Sequence, residues 1–117
     1  MSTRSVGNVA EQRAAEMLER RGYKILHRNY ACRLGEVDLI AEDGDVLAFV
    51  EVRSRTSSRY GEAIETIDAT KRRRIALTAH HYLVTRNLEN RACRFDVVTV
   101  QGNGEPELLK DAFQLDE

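Results

Sequence analysis

The stretch from Gly35 to Arg55, GEVDLIAEDGDVLAFVEVRSR, most narrowly limits how this chain can fold. Two runs rich in β-branched and large apolar residues flank Gly44-Asp45, and Gly-Asp is a recognised two-residue hairpin connection. The stretch therefore predicts two antiparallel strands joined by a tight turn. Both faces of the hairpin carry apolar residues, which favours central strands with helices above and below.

The register of this hairpin decides where its carboxylates lie. With a two-residue turn, Asp38 lies opposite Glu51 and Glu36 lies opposite Arg53, all on one face because side chains alternate. A turn shifted back by one residue sets Asp38 opposite Phe49 and keeps Glu51 on the same face as a diagonal neighbour. A three-residue turn would place the two carboxylates on opposite faces.

The favoured register also assigns the apolar residues to faces. The face without carboxylates is predicted to carry Val37, Leu39, Ala41, Ala48, Val50 and Val52. The other face carries Ile40, Leu47 and Phe49 at one end and the charged residues at the other.

Three carboxylates, those of Glu36, Asp38 and Glu51, thus converge at the edge of a buried surface. Like charges opposed on a sheet are destabilising, so a cation is expected beside them. A hard divalent ion such as Mg²⁺ satisfies this need, with these three residues as its ligands. Arg53 or Arg55 satisfies it equally, and the cluster is then a structural ion-pair network.

Length and composition predict one ordinary domain over residues 1–117, with residues from about 111 loosely held. Hydrophobic content of 42% supports a real core. Cys32 and Cys93 form no paired spacing and are expected to be buried thiols in a reducing compartment. The polar start of the chain and the lack of a long apolar run indicate a cytoplasmic protein that does not associate with membranes.

The net charge of −1 argues against a protein that coats nucleic acid, but the charge is uneven. Seven Lys/Arg against three acids occupy residues 53–74, and such a patch binds phosphates even when the total is neutral. The candidate nucleic-acid contacts are Arg55, Arg59, Arg72 and Arg73. A solvated face is the alternative interpretation of the same run.

The remaining elements follow from the periodicity of apolar residues and from the residues that begin and end helices and turns. Their order is αβββαβ with a short segment at the C-terminal end. The predicted elements besides the hairpin are a helix near Val6–Arg21, a strand over Tyr23–Tyr30, a loop over Ser54–Glu65, a helix over Thr66–Arg86 with Asp68 as N-cap, a strand over Cys93–Gln101 and an edge strand over Glu107–Lys110. The result is an α/β fold with a mixed central sheet flanked by helices. Glu11 lies on the flank of the first helix, and Lys71 lies near the start of the second on its inner face.

Asp38 followed by Glu51-Val52-Arg53 in this order of elements resembles the PD-(D/E)XK pattern of restriction-endonuclease-like nucleases. The chain is more specifically similar to the bacterial YraN-like family, through motifs that span almost its whole length. These motifs include Glu11, Gly22-Tyr23, Asn29-Tyr30, Gly35–Ile40, Phe49–Arg53, Lys71 and Arg94–Val97.

The resemblance implies a restriction-endonuclease-like core in which Asp38 and Glu51 hold Mg²⁺ or Mn²⁺, with Glu11 as a further acidic contributor. The family pattern usually ends in Glu-Val-Lys, whereas this chain has Arg53. Arginine stays protonated and cannot act as a base, although it can stabilise charge on a phosphate. Lys71 is the candidate to supply an amine instead.

Three functions stay open from the sequence. The first is a Mg²⁺-dependent nuclease that hydrolyses DNA, with branched or structured DNA as a candidate substrate and a homodimer as a candidate assembly. The second is a non-catalytic nucleic-acid-binding or adaptor domain on the same scaffold, in which Arg53 bridges Asp38 and Glu51. The third is a protein-interaction module that uses the acidic C-terminal segment.

Overall fold

The structure is a computed structural model that describes residues 4–54 and 67–114. These described residues form a five-stranded mixed sheet and two helices, as the sequence predicts. The elements are α1 (Arg4–Arg20), β1 (Lys24–Cys32), β2 (Gly35–Asp43), β3 (Val46–Ser54), α2 (Ala69–Thr85), β4 (Cys93–Val100) and β5 (Glu107–Phe113). In the described residues, no helix is long and apolar enough to cross a bilayer.

The strands lie side by side in the order of the chain, β1-β2-β3-β4-β5. β1, β2 and β3 form an antiparallel meander, because short turns join them. β4 runs parallel to β3, and α2 lies in the long connection between these two strands. β5 returns antiparallel to β4 and forms one edge of the sheet, whereas β1 forms the other.

The register of the central hairpin is the predicted one. Gly44 and Asp45 form the turn, Asp43 pairs with Val46, and the ladder continues to Leu39 opposite Val50. Gly44 has a φ of 60°, a left-handed conformation that glycine adopts without steric cost. The same register, continued by one residue, brings Asp38 beside Glu51.

The two faces of the sheet pack against different helices, which accounts for the apolar residues on both sides of β2 and β3. α1 covers a cluster that includes Leu39, Ala41, Ala48 and Val50. α2 covers a second cluster that includes Ile40, Leu47, Phe49, Ile75 and Tyr82. Burial on both faces makes these strands the interior of the fold.

Val37 departs from the predicted assignment to faces. It packs in the cluster under α2, together with Ile40, rather than with Leu39. The β2–β3 ladder is regular only from Leu39 onward, and Val37 lies beyond its end. Val37 still pairs with Tyr30 of β1, and Tyr30 packs against the same cluster under α2.

The end of α1 and the start of α2 lie beside residues of the kinds that end and begin helices. Gly22, with a φ of 92°, follows α1, and the Tyr23 N–H donates to the carbonyl of Leu18 at 3.0 Å. At the start of α2, the Asp68 carboxylate accepts the Lys71 N–H at 2.9 Å, which confirms Asp68 as the N-cap.

β5 extends three residues past its predicted end at Lys110. Phe113 is buried, and its ring stacks on Phe95 with 5.1 Å between the ring centroids. Residues 111–113 therefore belong to the strand, whereas the sequence suggested that the chain loosens near residue 111. Of the two cysteines, Cys32 is half-buried and Cys93 is exposed, so the expectation of two buried thiols is wrong for Cys93, the first residue of β4.

Candidate functional site

A cavity of about 350 Å³ opens between the hairpin and the first turns of α2. The start of β2 and the end of β3 form one wall, and α2 forms the other. Among the described residues, its lining includes Gly35, Glu36, Asp38, Glu51, Asp68, Thr70, Lys71, Arg74 and Ile75. The three carboxylates that the sequence predicted to converge thus share one cavity.

Asp38 and Glu51 lie together at the base of this cavity. Glu51 is only 5% exposed, although it is charged. The Asp38 carboxylate accepts the Val52 N–H at 2.8 Å, which ties it to the neighbouring strand. The adjacent carboxylates come from neighbouring strands in the register described above, so the backbone itself holds them side by side.

The protonation of Asp38 reflects this crowding. Burial is the largest of the causes that together raise the pKa of Asp38 to about 8. The negative charges of Glu51 and Glu11 and a hydrogen bond to Glu51 act in the same direction, against the lowering effect of the Val52 N–H. Near neutral pH, the pair therefore holds a proton in the absence of a divalent cation. A divalent cation would replace that proton and allow both groups to ionise.

Two cationic side chains approach Glu51 from different elements. The Lys71 Nζ lies 3.1 Å from Glu51 Oε2, and the Arg53 Nε lies 3.5 Å from the same oxygen. The Arg53 Nε is buried and lacks a well-directed hydrogen bond within the described residues, so its contact with Glu51 is electrostatic. The predicted bridge from Arg53 to both carboxylates is only half formed there, since no ion pair with Asp38 is recorded.

The other predicted acids have different positions. Glu36 is exposed and lines the mouth of the cavity. Glu11 is half-buried on α1 and affects Asp38 through its charge. Its side chain also lines a separate surface cavity of about 380 Å³ with Arg28 and Asn29.

Of the four arginines predicted to contact nucleic acid, two lie within the described residues. Arg55 and Arg59 lie outside the described residues. Arg72 was expected to face outward, but its Nε donates to the Ile67 carbonyl at 2.8 Å and its guanidinium lies over Phe113. Arg72 thus has a packing role. Arg73 is exposed and does not line the cavity.

Sequence reasoning did not select Thr70 or Arg74, which both line the cavity. Helical spacing could have identified Arg74, because it follows Lys71 by three residues and therefore lies on the same side of α2. The run Lys71–Arg74 contains four consecutive cations, and only the phase of the helix against the sheet distinguishes them.

The carboxylates of this site fit a metal ion that takes only some of its ligands from the protein. Among the described residues, no three His, Cys, Asp or Glu side chains are arranged as a preformed metal cage. Mg²⁺, however, usually binds through one or two carboxylates and completes its shell with waters and substrate phosphates. Asp38 and Glu51 supply such a pair in an open cavity, with Glu36 at its mouth.

Comparisons with known proteins agree on one family. The sequence model of Uncharacterised protein family UPF0102 matches residues 10–100. The chain belongs to this family. A UPF0102 protein of Caldicellulosiruptor saccharolyticus is 42% identical over 118 residues, covering 97% of this chain and 100% of the relative.

Two further relatives have similar lengths and carry the same family name. A UPF0102 protein of Syntrophus aciditrophicus is 47% identical, covering 93% of this chain and 88% of its own. One from Pelotomaculum thermopropionicum is 50% identical, covering 81% of this chain and 79% of its own. The matched residues 10–100 include Glu11, Glu36, Asp38, Glu51 and Lys71, so the candidate site lies within the family region.

Proposed function

We propose that this member of UPF0102 is a divalent-metal-dependent nuclease with a restriction-endonuclease-like PD-(D/E)XK core. The observation that carries the proposal is the pair of adjacent carboxylates, half-buried Asp38 and buried Glu51, which lie beside Lys71 in an open cavity. The order αβββαβ, with these carboxylates on β2 and β3, is also the order that the resemblance to such nucleases implies. The proposed substrate is DNA.

Asp38 and Glu51 would hold Mg²⁺ or Mn²⁺, with Glu36 contributing at the mouth of the cavity. When bound, the ion activates a water and neutralises charge that develops on the phosphoryl oxygens. The backbone N–H of Val52 fixes the Asp38 carboxylate, so the pair is positioned before any ligand binds. In the reaction, the water oxygen would form a bond to phosphorus and lose a proton to solvent, the P–O bond to the leaving alkoxide would break, and that alkoxide would take up a proton from solvent.

Lys71 and Arg53 have separate roles in this proposal. The Lys71 amine is 44% exposed in the cavity and 3.1 Å from Glu51, so it can hydrogen-bond a water or a phosphoryl oxygen there. Arg53 is more enclosed and stays protonated. It offsets the charge of the carboxylates and does not act as a base.

Hydrolysis of labelled DNA in Mg²⁺ or Mn²⁺ tests the proposal, with linear, flapped and four-way branched substrates compared. Glu51→Gln is expected to lower the rate by at least 10²-fold while the variant stays folded. Glu42→Gln is the matched control, because Glu42 is also a carboxylate of this hairpin but pairs with Arg91 at 2.8 Å and does not line the cavity. No hydrolysis by the wild type on any substrate, or equal rates for both variants, would contradict the proposal.

A non-catalytic nucleic-acid-binding domain is the second candidate, and the Arg53–Glu51 contact favours it. In that case, Lys71 and Arg53 balance Glu51 permanently, and no metal is taken up. The lining of the cavity weighs against this candidate. Among the described residues of the lining, the acids Glu36, Glu51 and Asp68 outnumber the cations Lys71 and Arg74 even when Asp38 is protonated, so without a metal this part of the lining offers no excess positive charge to a phosphate.

A further inference from the structure

The wall of the cavity that α2 contributes presents two cations, Lys71 and Arg74, and they differ in their surroundings. Lys71 is already paired with Glu51 at 3.1 Å. Arg74 is exposed, and among the described residues no carboxylate is recorded within ion-pair distance of its guanidinium. Arg74 is therefore the cation of this wall that is available to an anion from outside.

The other arginines of α2 are oriented elsewhere. Arg72 donates to the Ile67 carbonyl and lies over Phe113, so its guanidinium has a structural role. Arg86, just past the far end of the helix, lies over the ring of Tyr82 at 4.2 Å from its centroid. Arg73 is exposed but does not line the cavity.

The backbone that carries Arg74 is fixed by an unusually close contact with the start of β2. A Cβ atom on Gly35 would lie 3.3 Å from both the Cβ and the carbonyl oxygen of Arg74, and 3.0 Å from Thr78 Oγ1. The glycine lets the strand approach the helix directly. Arg74 is consequently attached to the same rigid junction that positions Glu36 and Asp38.

We infer that Arg74 binds a backbone phosphate of the nucleic acid that enters the cavity, an inference that rests on the proposed function. A guanidinium matches two phosphate oxygens with parallel N–H donors, which suits an exposed arginine beside a metal-binding carboxylate pair. Because this contact is to the phosphate and not to a base, it contributes equally to the affinity for nucleic acids of any sequence. Since acids outnumber cations in the described part of the lining, a divalent cation at the carboxylates is expected to strengthen this contact.

Fluorescence anisotropy with the full chain and two labelled duplexes of unrelated sequence tests this inference, together with a labelled four-way junction. Ca²⁺ replaces Mg²⁺ in order to slow hydrolysis. Arg74→Gln is expected to raise the Kd by roughly 10-fold on both duplexes and to reduce the salt-dependence slope by about 1. Arg74→Lys should recover part of the affinity, since it keeps the charge but loses the planar pair of donors.

Arg86→Gln is the matched control, because it removes the same charge from the far end of α2, and its Kd should stay within about 2-fold of wild type. Thermal melting of each variant confirms that it is folded. An unchanged Kd for Arg74→Gln, or an equal loss in Arg86→Gln, would overturn the role of Arg74 while Mg²⁺-dependent hydrolysis still supported the proposed function. A wild type that neither binds nor cleaves DNA in the presence of divalent cations would overturn both.

Discussion

Two clusters of charged residues lie at opposite ends of the central strands, and they balance their charges differently. We call the first the arginine cluster; it consists of Tyr23, Asp43, Arg94, Asp96 and Lys110. The guanidinium of Arg94 donates to Asp96, Asp43 and the Tyr23 hydroxyl. The second is the cavity, where carboxylates face one another and Asp38 has a pKa of about 8.

The arginine cluster has the properties of a structural ion network. Asp96 is completely buried, yet both of its oxygens accept from the Arg94 Nε at 3.0 Å, and one also accepts the Asp111 N–H at 2.8 Å. Burial works against the Arg94 charge, but the hydrogen bonds to Asp96 and Asp43 keep the pKa of Arg94 above its usual value. The hydrogen bonds between Arg94 and Asp43 favour the charged forms of both residues, since they lower the pKa of Asp43 and raise that of Arg94.

In the cavity, Lys71 and Arg53 lie beside Glu51, but among the described residues no cation pairs with Asp38. The two central carboxylates of the cavity share one buried space, so the folded state favours protonation of Asp38. A fold selected for stability alone would have replaced one of them by a neutral residue. The comparison teaches that charge satisfied within the protein indicates structure, whereas unsatisfied charge beside an open cavity indicates a ligand site.

The largest expected effect on stability comes from breaking the arginine cluster. Arg94→Met leaves Asp96 buried without a counter-ion and should lower the free energy of unfolding by about 3–5 kcal/mol. Urea denaturation monitored by circular dichroism measures the change. Lys110→Gln is the control: its ammonium is largely exposed at 3.5 Å from Asp43, so its loss should cost less than about 1 kcal/mol. Equal effects of the two variants would show that this cluster is not a structural network.

A smaller effect is expected where the hairpin meets α2 beside the cavity. Gly35→Ala places a Cβ atom 3.0 Å from Thr78 Oγ1 and 3.3 Å from Arg74 and should destabilise by about 1–3 kcal/mol. Gly44→Asn serves as a control, because nothing lies within 4 Å of a Cβ there and asparagine tolerates the left-handed turn. Thermal melting of both variants gives the comparison. A neutral Gly35→Ala would mean that the junction is not tightly packed.

The smallest effect on stability, and one of opposite sign, is expected from Asp38→Asn. The pKa of Asp38 rises from 3.8 to about 8 on folding, so its stabilising contribution is complete below 3.8 and is lost as the pH rises through about 8. At pH 8 in EDTA, Asp38→Asn should therefore be more stable than wild type by on the order of 1 kcal/mol.

Urea denaturation between pH 5 and pH 8.5 tests that sign. Wild type should lose stability relative to Asp38→Asn across this range, because the unfolded chain releases the Asp38 proton at lower pH than the folded chain does. Asparagine can still accept the Val52 N–H, so the backbone contact is retained. A variant less stable than wild type at pH 8 would assign Asp38 to the structural class of the arginine cluster.

The sequence predicted the parts of the fold that depend on local patterns. The alternation of residues around Gly44-Asp45 gave the correct register and therefore the adjacency of Asp38 and Glu51. The Asp68 cap and the buried face of α2 also follow from spacing within a single element. These features require no knowledge of distant contacts.

The remaining features depend on contacts between distant segments. Arg94 bonds Tyr23, 71 positions away, and no local pattern indicates that pairing. Similarly, the phase of α2 against the sheet decides that Arg74 rather than Arg72 lines the cavity. Val37 packs under α2, whereas Leu39, two residues further along the same strand, packs under α1.

Isothermal titration of Mg²⁺ or Mn²⁺ into the wild type and Asp38→Asn tests the central claim most directly. The account predicts saturable binding to the wild type and its loss in a folded Asp38→Asn. At pH 7, the heat should also vary with the ionisation enthalpy of the buffer, because the bound ion displaces the proton held at Asp38. A folded wild type that takes up neither ion, or binding that is equal in the variant, would contradict the account.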